Sequence, residues 1–381
     1  MSVRSVTVTA LAFLWVLVVP GCGGDDGTID TGPGDLGWTD VAGEDPGGSE
    51  LAGDDHGVEA DAAVDQGLGD VATDDGPVPV SQECAALLAS SNAKIQSVGT
   101  LTVDGLERKF WFSTPFDVET AEGPWAVVFL WHGFAGVAMD QTRFDSAAFD
   151  FHGFLSNHVN DDRMPFLLVT PHADGQAFLD WNIVDTVSGD TNPDVRLFDE
   201  VLACLDARFG VDPDHIHSLG FSAGGIMTNL LGVTRGDRMA SILTWSGAYL
   251  ANEENETGTY DIFWPEPCPS SGYVQLVFRG GQTDLWQAPG LVADFDTWTQ
   301  NDIPWLNELG HDVIDCPHTE GHMLPAPLDT IPDYVIDFFR DHPRGVVDSP
   351  WAMAMPDCLP VECQHKPRIQ LALRPVARLP R

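Results

Sequence analysis

Gly220-Phe221-Ser222-Ala223-Gly224-Gly225 decides the fold. It follows a strand-like run, His215-Ile216-His217-Ser218-Leu219, and leads into a helix-like one, Ile226 to Val233. A serine between small residues at a strand-to-helix turn is the pattern of a nucleophile elbow, G-x-S-x-G. The turn is so tight that flanking side chains must be nearly absent, and it lifts the hydroxyl clear of the sheet. The helix start behind it supplies backbone N–H groups and a positive dipole end where an oxyanion can sit.

Working outward, strand-like and helix-like segments alternate from about residue 81 to 342. Arg108 to Phe112 alternates with a period of two. Ala126 to Trp131 is a continuous apolar run, as a strand buried on both faces requires, and Phe166 to Thr170 is another. Val195 to Phe209 has a helical period, with Leu197, Val201, Leu202 and Leu205 on one side, and stops at Gly210. Met239–Trp245, Val274–Phe278 and His311–Ile314 complete the strands, and Pro332 to Phe339 reads as a closing helix. This order predicts an α/β protein with a mostly parallel sheet covered on both faces, the α/β-hydrolase pattern. Ala251 to Gly272 is an irregular acidic insertion with Trp264 and Pro265, at a place where such folds often carry a lid.

A serine nucleophile needs a base to take its proton and a carboxylate to orient that base, in the chain order Ser, Asp or Glu, His. After Val274–Phe278 comes Arg279-Gly280-Gly281-Gln282-Thr283-Asp284, which makes Asp284 the expected acid; Asp294 and Asp296 are the fallbacks, in what reads as the next helix. The last strand leads to Cys316-Pro317-His318-Thr319-Glu320-Gly321-His322. Gly321 gives the backbone freedom to swing an imidazole over the sheet edge, so His322 is preferred to His318 as base. Ala223, after the nucleophile, and Phe134, in the His132-Gly133-Phe134 loop behind the strand ending at Trp131, are the expected oxyanion donors. His132 then holds its loop. His215 and His217 share a strand face and His311, His318 and His322 cluster in sequence, but H-E-x-x-H and C-x-x-C are both missing. Neither a metal nor another cofactor is expected.

The ends of the chain differ from its middle. Val6 to Val19 is an apolar core behind Arg4, followed by Pro20-Gly21-Cys22, and reads as a signal peptide over residues 1–21. A small residue before cysteine resembles a lipoprotein cleavage site, with Cys22 as the lipidated residue. From 22 to 80 the chain is Gly, Asp, Pro, Thr and Ala, with 16 acidic residues and no Lys or Arg, the composition of a disordered spacer. Gly23 after the cysteine points to an extracytoplasmic position at the outer membrane or cell surface. The net charge is −40, and between Ser81 and His342 there are still 39 acidic residues against 11 basic ones. That excludes nucleic acid as a partner and electrostatic docking on anionic lipid. The remaining cysteines, Cys84, Cys204, Cys268, Cys316, Cys358 and Cys363, are even in number, which in an exported chain favours disulfides. Cys358 and Cys363 are close enough in sequence to close a small loop within the tail, 343–381, which either folds on the domain or stays disordered.

Together these residues resemble the polyhydroxybutyrate depolymerase-like esterases, a group related to the feruloyl and acetylxylan esterases of carbohydrate esterase family 1. The resemblance runs from about Gly99 to Phe339. It rests on Leu130-Trp131-His132-Gly133, on Val211-Asp212-Pro213-Asp214-His215-Ile216 and on the doubled glycine after Ser222. It implies a triad of Ser222, Asp284 and His322, an oxyanion hole at Phe134 and Ala223, and an ester substrate, polymeric or small. Members often carry histidine before the glycine of the acid loop and Trp-Pro after the catalytic histidine. Here Arg279-Gly280-Gly281 and His322-Met323-Leu324-Pro325 stand instead, which leaves polyhydroxyalkanoate and plant-polysaccharide acyl esters both open as substrates. Trp264, Trp286, Trp298 and Trp305 are candidates for stacking on a ring or for core packing. The alternatives are a serine peptidase of the prolyl oligopeptidase type, which shares the elbow but usually adds a propeller or cap domain, and a surface lipoprotein that binds without catalysing.

Overall fold

The computed structural model describes residues 97–369, apart from residues 122, 136–140, 174–176, 178, 185–190, 256–261, 263, 266, 268–271 and 289–290. The expected signal peptide, Cys22, the acidic spacer, Cys84 and Cys268 lie outside the described residues.

The apolar runs form a nine-stranded sheet. In chain order its strands are β1 (Ser97–Val103), β2 (Leu106–Ser113), β3 (Trp125–Trp131), β4 (Phe166–Pro171), β5 (Val211–Phe221), β6 (Ser241–Trp245), β7 (Val274–Arg279), β10 (Asp312–Pro317) and β11 (Gln364–Lys366). A separate hairpin pairs β8 (Leu285–Ala288) with β9 (Leu291–Asp294). Across the sheet the order is β1-β2-β4-β3-β5-β6-β7-β10-β11. The six strands from β4 to β10 run parallel, and β1, β2 and β11 join antiparallel at the two sides. This is the α/β-hydrolase architecture expected from the alternation of elements.

Among the described residues, five α-helices cover the sheet: α1 (Gln141–Ser156), α2 (Pro193–Phe209), α3 (Ala223–Thr234), α4 (Phe295–Leu309) and α5 (Ile331–Asp341). Because side chains alternate across a strand, β3 feeds both layers. Val127, Phe129 and Trp131 pack with side chains of α2, α3 and α4, and Val128 and Leu130 with those of α1 and α5. The caps follow local chemistry. Asn192 Oδ1 accepts from the N–H groups of Asp194 and Val195 at the start of α2, where Pro193 needs no partner. Gly310, at φ 95°, ends α4.

The tail after His342 folds on the domain as far as it is described. Trp351 is buried against Phe338 and His342, and β11 pairs with β10. Cys363 is joined to Cys316, so the small tail loop that the spacing of Cys358 and Cys363 allows does not form. Cys358 is a free thiol beside Asp337, and Cys204 is disulfide-bonded. Sequence nearness did not select the pair, because the antiparallel return of β11 brings Cys363 next to a strand 47 residues earlier.

A fully buried ion pair ties β2 to α2. Arg108 Nη2 donates to Asp194 Oδ1 at 2.6 Å, and Asp194 Oδ2 accepts from both the backbone N–H and the side-chain amide of Asn182. Removing one partner of such a pair leaves a charge in a low-dielectric interior. Asp194→Ala should therefore lower the unfolding free energy by about 3–5 kcal/mol, read as a lower urea midpoint at unchanged slope.

Candidate active site

Ser222 ends β5 and opens α3 in a conformation foreign to L-residues, φ 55° and ψ −121°. Glycine is required beside it. A Cβ on Gly220 would lie 2.2 Å from the Gly224 carbonyl oxygen, and one on Gly224 would lie 2.2 Å from that of Trp131. The elbow is thus pressed against the end of β3 with no room for side chains, and the Ser222 N–H donates to the Trp245 carbonyl at 2.9 Å. Although Ser222 holds the N-cap position of α3, its hydroxyl caps nothing.

That hydroxyl points instead to His322 Nε2, 2.8 Å away, and His322 Nδ1 lies 2.7 Å from Asp284 Oδ1. A carboxylate only accepts, so Nδ1–H donates to Asp284 and Nε2 is left to accept the serine proton. Asp284 is fully buried; its other oxygen accepts from the Gly280 N–H at 2.8 Å and the Ser246 hydroxyl at 2.9 Å. The acid and base loops touch: the Gly321 N–H donates to the Gly280 carbonyl, and a Cβ on Gly280 would sit 1.8 Å from the Gly321 oxygen. The imidazole of His322 is itself clamped. Phe295 stacks on it at 4.7 Å, and Phe221 tilts against it at 5.0 Å. The structure thus brings Ser222, His322 and Asp284 into one hydrogen-bonded chain.

The other candidates take different places. Asp294 caps α4 through the Thr297 N–H. Asp296 is no solvated acid: it is buried against Arg279, which also bonds Asp315. His318 is buried, and burial lowers its pKa, while its Nδ1 accepts from the Glu320 N–H. His132 is fully buried and held down to about 4 by burial, with Nδ1–H donating to the Gly133 carbonyl. The loop it sits in is held by Trp181 Nε1, donating to the His132 carbonyl, and by Asp180, accepting from the Ala135 N–H. His217 stacks on Phe339 and bonds Ser241; His311 packs on Tyr273. Among the described residues no group of three His, Cys, Asp or Glu side chains could hold a metal ion.

A cleft of about 400 Å³, its open mouth included, lies against Ser222. Phe134 and Ala223, the expected oxyanion donors, line the same cleft as Ser222. Ala223 is the first residue of α3, where backbone donors have no intrahelical partner. Trp286, Trp298, Phe295 and Leu250 form much of the remaining wall, and none of the described lining residues carries a charged side chain. Of the four tryptophans singled out, Trp286 and Trp298 thus face the cleft, Trp286 edge-on to Phe134 at 5.5 Å. Trp264 is buried with Nε1 on the Ile183 carbonyl, and Trp305 packs on Tyr249. Sequence reading missed Ser246, Phe221 and Phe295 as supports of the triad candidates. The position of Ser246 directly after β6, at a strand's carboxyl end, was its one visible signal.

No family model matches the chain. Part of it is similar to the oxidized polyvinyl alcohol hydrolase of Sphingopyxis sp. (strain 113P3), at 25% identity over 185 residues, 42% of this chain and 51% of that protein. The oxidized polyvinyl alcohol hydrolase of a Pseudomonas sp is 24% identical over 184 residues, 41% of this chain and 48% of that protein. The chain thus spans about half the length of the curated relatives it matches. Among solved structures, native sOPH aligns with a TM-score of 0.53 at 19% identity, covering 74% of this chain and 97% of that one. Native pOPH aligns with a TM-score of 0.52 at 17% identity, with the same coverage. At such identities the structural likeness speaks to the fold, and the fold is that of the α/β-hydrolases.

Proposed function

We propose that this chain is a serine hydrolase of carboxylic esters, acting through Ser222, His322 and Asp284. One observation carries the reading: two consecutive hydrogen bonds run from the Ser222 hydroxyl through His322 to a buried carboxylate, at the wall of an apolar cleft. Ser222 Oγ attacks the ester carbonyl carbon as its proton passes to His322 Nε2. Asp284 stabilises the imidazolium through the Nδ1–H bond, and the N–H groups of Phe134 and Ala223 receive the oxyanion. The imidazolium then gives its proton to the leaving alcohol. Water, deprotonated by the same imidazole, releases the acid and restores the serine.

The cleft supports an uncharged, apolar group at the ester, since a charge would be desolvated there without a partner. Acyl groups of polyhydroxyalkanoates and of plant polysaccharides both fit that description. The partial similarity to oxidized polyvinyl alcohol hydrolases adds oxidised polyvinyl alcohol as a further polymer to test. Attachment through lipidated Cys22 and the acidic spacer would hold the domain outside the cytoplasm, at the outer membrane or cell surface, within reach of such material.

Hydrolysis of p-nitrophenyl acyl esters tests the chemistry. Ser222→Ala should lower kcat by about 10⁴-fold or more, and Asp284→Asn by about 10⁴-fold. Ser246→Ala, which removes one donor to the Asp284 carboxylate, should lower it by about 10- to 100-fold with KM little changed. Equal rates in the parent and Ser222→Ala would overturn the esterase reading in favour of a binding protein, and turnover confined to peptides would favour the peptidase. For the anchor, the full-length chain expressed in bacteria with labelled palmitate should take up label, and Cys22→Ser should abolish it. Label retained in Cys22→Ser would sink the anchoring proposal.

A further inference from the structure

Helix α4 carries a buried carboxylate that the proposed chemistry does not use. Asp302 is 3% exposed and accepts three hydrogen bonds. The Tyr249 N–H reaches Oδ2 at 2.9 Å; the side-chain amides of Asn252 and Asn255 reach Oδ1 at 3.0 and 2.8 Å. Tyr249 lies on the stretch that leaves β6, and Asn252 and Asn255 lie at the start of the 251–272 insertion. The stretch is folded on itself: the Asn252 N–H and the Asn255 side chain both donate to the Tyr249 carbonyl. Two neighbours of Asp302 on α4 add bonds, Thr299 to the Gly247 carbonyl and Asn301 to the Glu254 carbonyl. Between these anchors Leu250 lines the cleft beside Ser222.

We propose that Asp302 is a positioning residue that fixes the Leu250 wall of the cleft, and that protonating it loosens this wall. Only the kinetic consequence rests on the hydrolase reading. A carboxylate is an acceptor on both oxygens. With a proton on Oδ2, an O–H would face the Tyr249 N–H, donor against donor. The bonds from Asn252 and Asn255 would lose their charge assistance, which roughly halves such bonds. All the donors are neutral, so burial dominates and pushes this carboxyl up to about 7. On the elements packed around it, Tyr249 and Tyr273 are pushed up by burial and His311 is held down to about 4, so all three are neutral near that pH. Glu253, Glu254 and Glu308 are exposed, and Asp296 pairs with Arg279.

The sign of the global effect is opposite to the local one. The folded state keeps a proton that the unfolded chain has already released, so the stability Asp302 contributes is complete below the ordinary carboxylate range. It is lost as pH rises through about 7. The wall, in contrast, should tighten as the carboxylate forms: when it loosens, Asp302 stays buried under α4 and loses only the three hydrogen bonds that hold its pKa down, so the loosened wall is the state that the proton favours.

Hydrogen exchange of peptides covering 247–255, corrected for intrinsic rates, tests this at about pH 5.5 and about pH 8. The parent should gain about tenfold protection at the higher pH, and Asp302→Asn should show no gain. In the same variant KM for a benzoyl ester should rise by about five- to tenfold with kcat nearly unchanged, while the acetyl ester responds little. Asn252→Ala with Asn255→Ala, which leaves α4 intact, should also lose protection at the higher pH, and it serves if Asp302→Asn does not fold. Protection in the parent that is independent of pH, or undiminished in the variants, would overturn the proposal. A parent that hydrolyses neither ester would count against the hydrolase reading alone, since exchange is read without turnover.

Discussion

The backbone of Ser222 is the constraint on which the site depends. A non-glycine residue at φ 55° and ψ −121° costs on the order of 1–3 kcal/mol, and it persists only where its surroundings leave no alternative. Here they are the ends of β3 and β6. Gly224 lies against the Trp131 and His132 carbonyls, and the Ser222 N–H is bound to the Trp245 carbonyl. Any side chain at Gly220 or Gly224 would push the elbow off the sheet and carry the hydroxyl away from His322. The strain is therefore held by the central strands, the most deeply buried part of the fold.

Helix α4 organises the other side of the cleft from one face. Phe295 stacks on the His322 ring, Trp298 lines the cleft, Thr299 bonds the Gly247 carbonyl, and Asp302 holds the stretch around Leu250. These positions recur at helical spacing, so one rigid element sets both the orientation of the base and the shape of the pocket. Pro304 lies within this helix one turn from its end, on the exposed side, where the loss of a hydrogen bond does least harm.

The parallel core and the elbow were legible because each rests on a local pattern. Continuous apolar runs mark strands buried on both faces, and small residues around Ser222 mark a turn that tolerates nothing larger. Elements defined by distant partners were not legible. β11 is three polar residues, Gln364, His365 and Lys366, and is a strand only because β10 offers an open edge and Cys316 a covalent tie. The β8–β9 hairpin was not read as strands although Pro289-Gly290 between them is a turn signal in the sequence, because each strand is only four residues long; it brings Trp286 to the cleft wall. Ser246 gave no motif at all; its role depends on Asp284 lying across the ends of β6 and β7.

Acidity is general in this chain, yet inside the domain each aspartate is used individually. Four buried ones each accept three donors. Asp194 takes Arg108 and both groups of Asn182; Asp284 takes His322, Ser246 and the Gly280 N–H. Asp312 takes the Ser349 and Arg368 N–H groups and His365, and so fastens the tail. Asp302 takes one backbone and two side-chain amides. Equal numbers of hydrogen bonds do not make equal sites. Three of these carboxylates have an arginine or an imidazole among their partners, and Asp302 has none. A buried anion whose partners are all amides, which cannot take a positive charge, keeps much of its desolvation penalty. Burial therefore makes Asp302 sensitive to protons near neutrality, and its partners connect that sensitivity to the cleft wall.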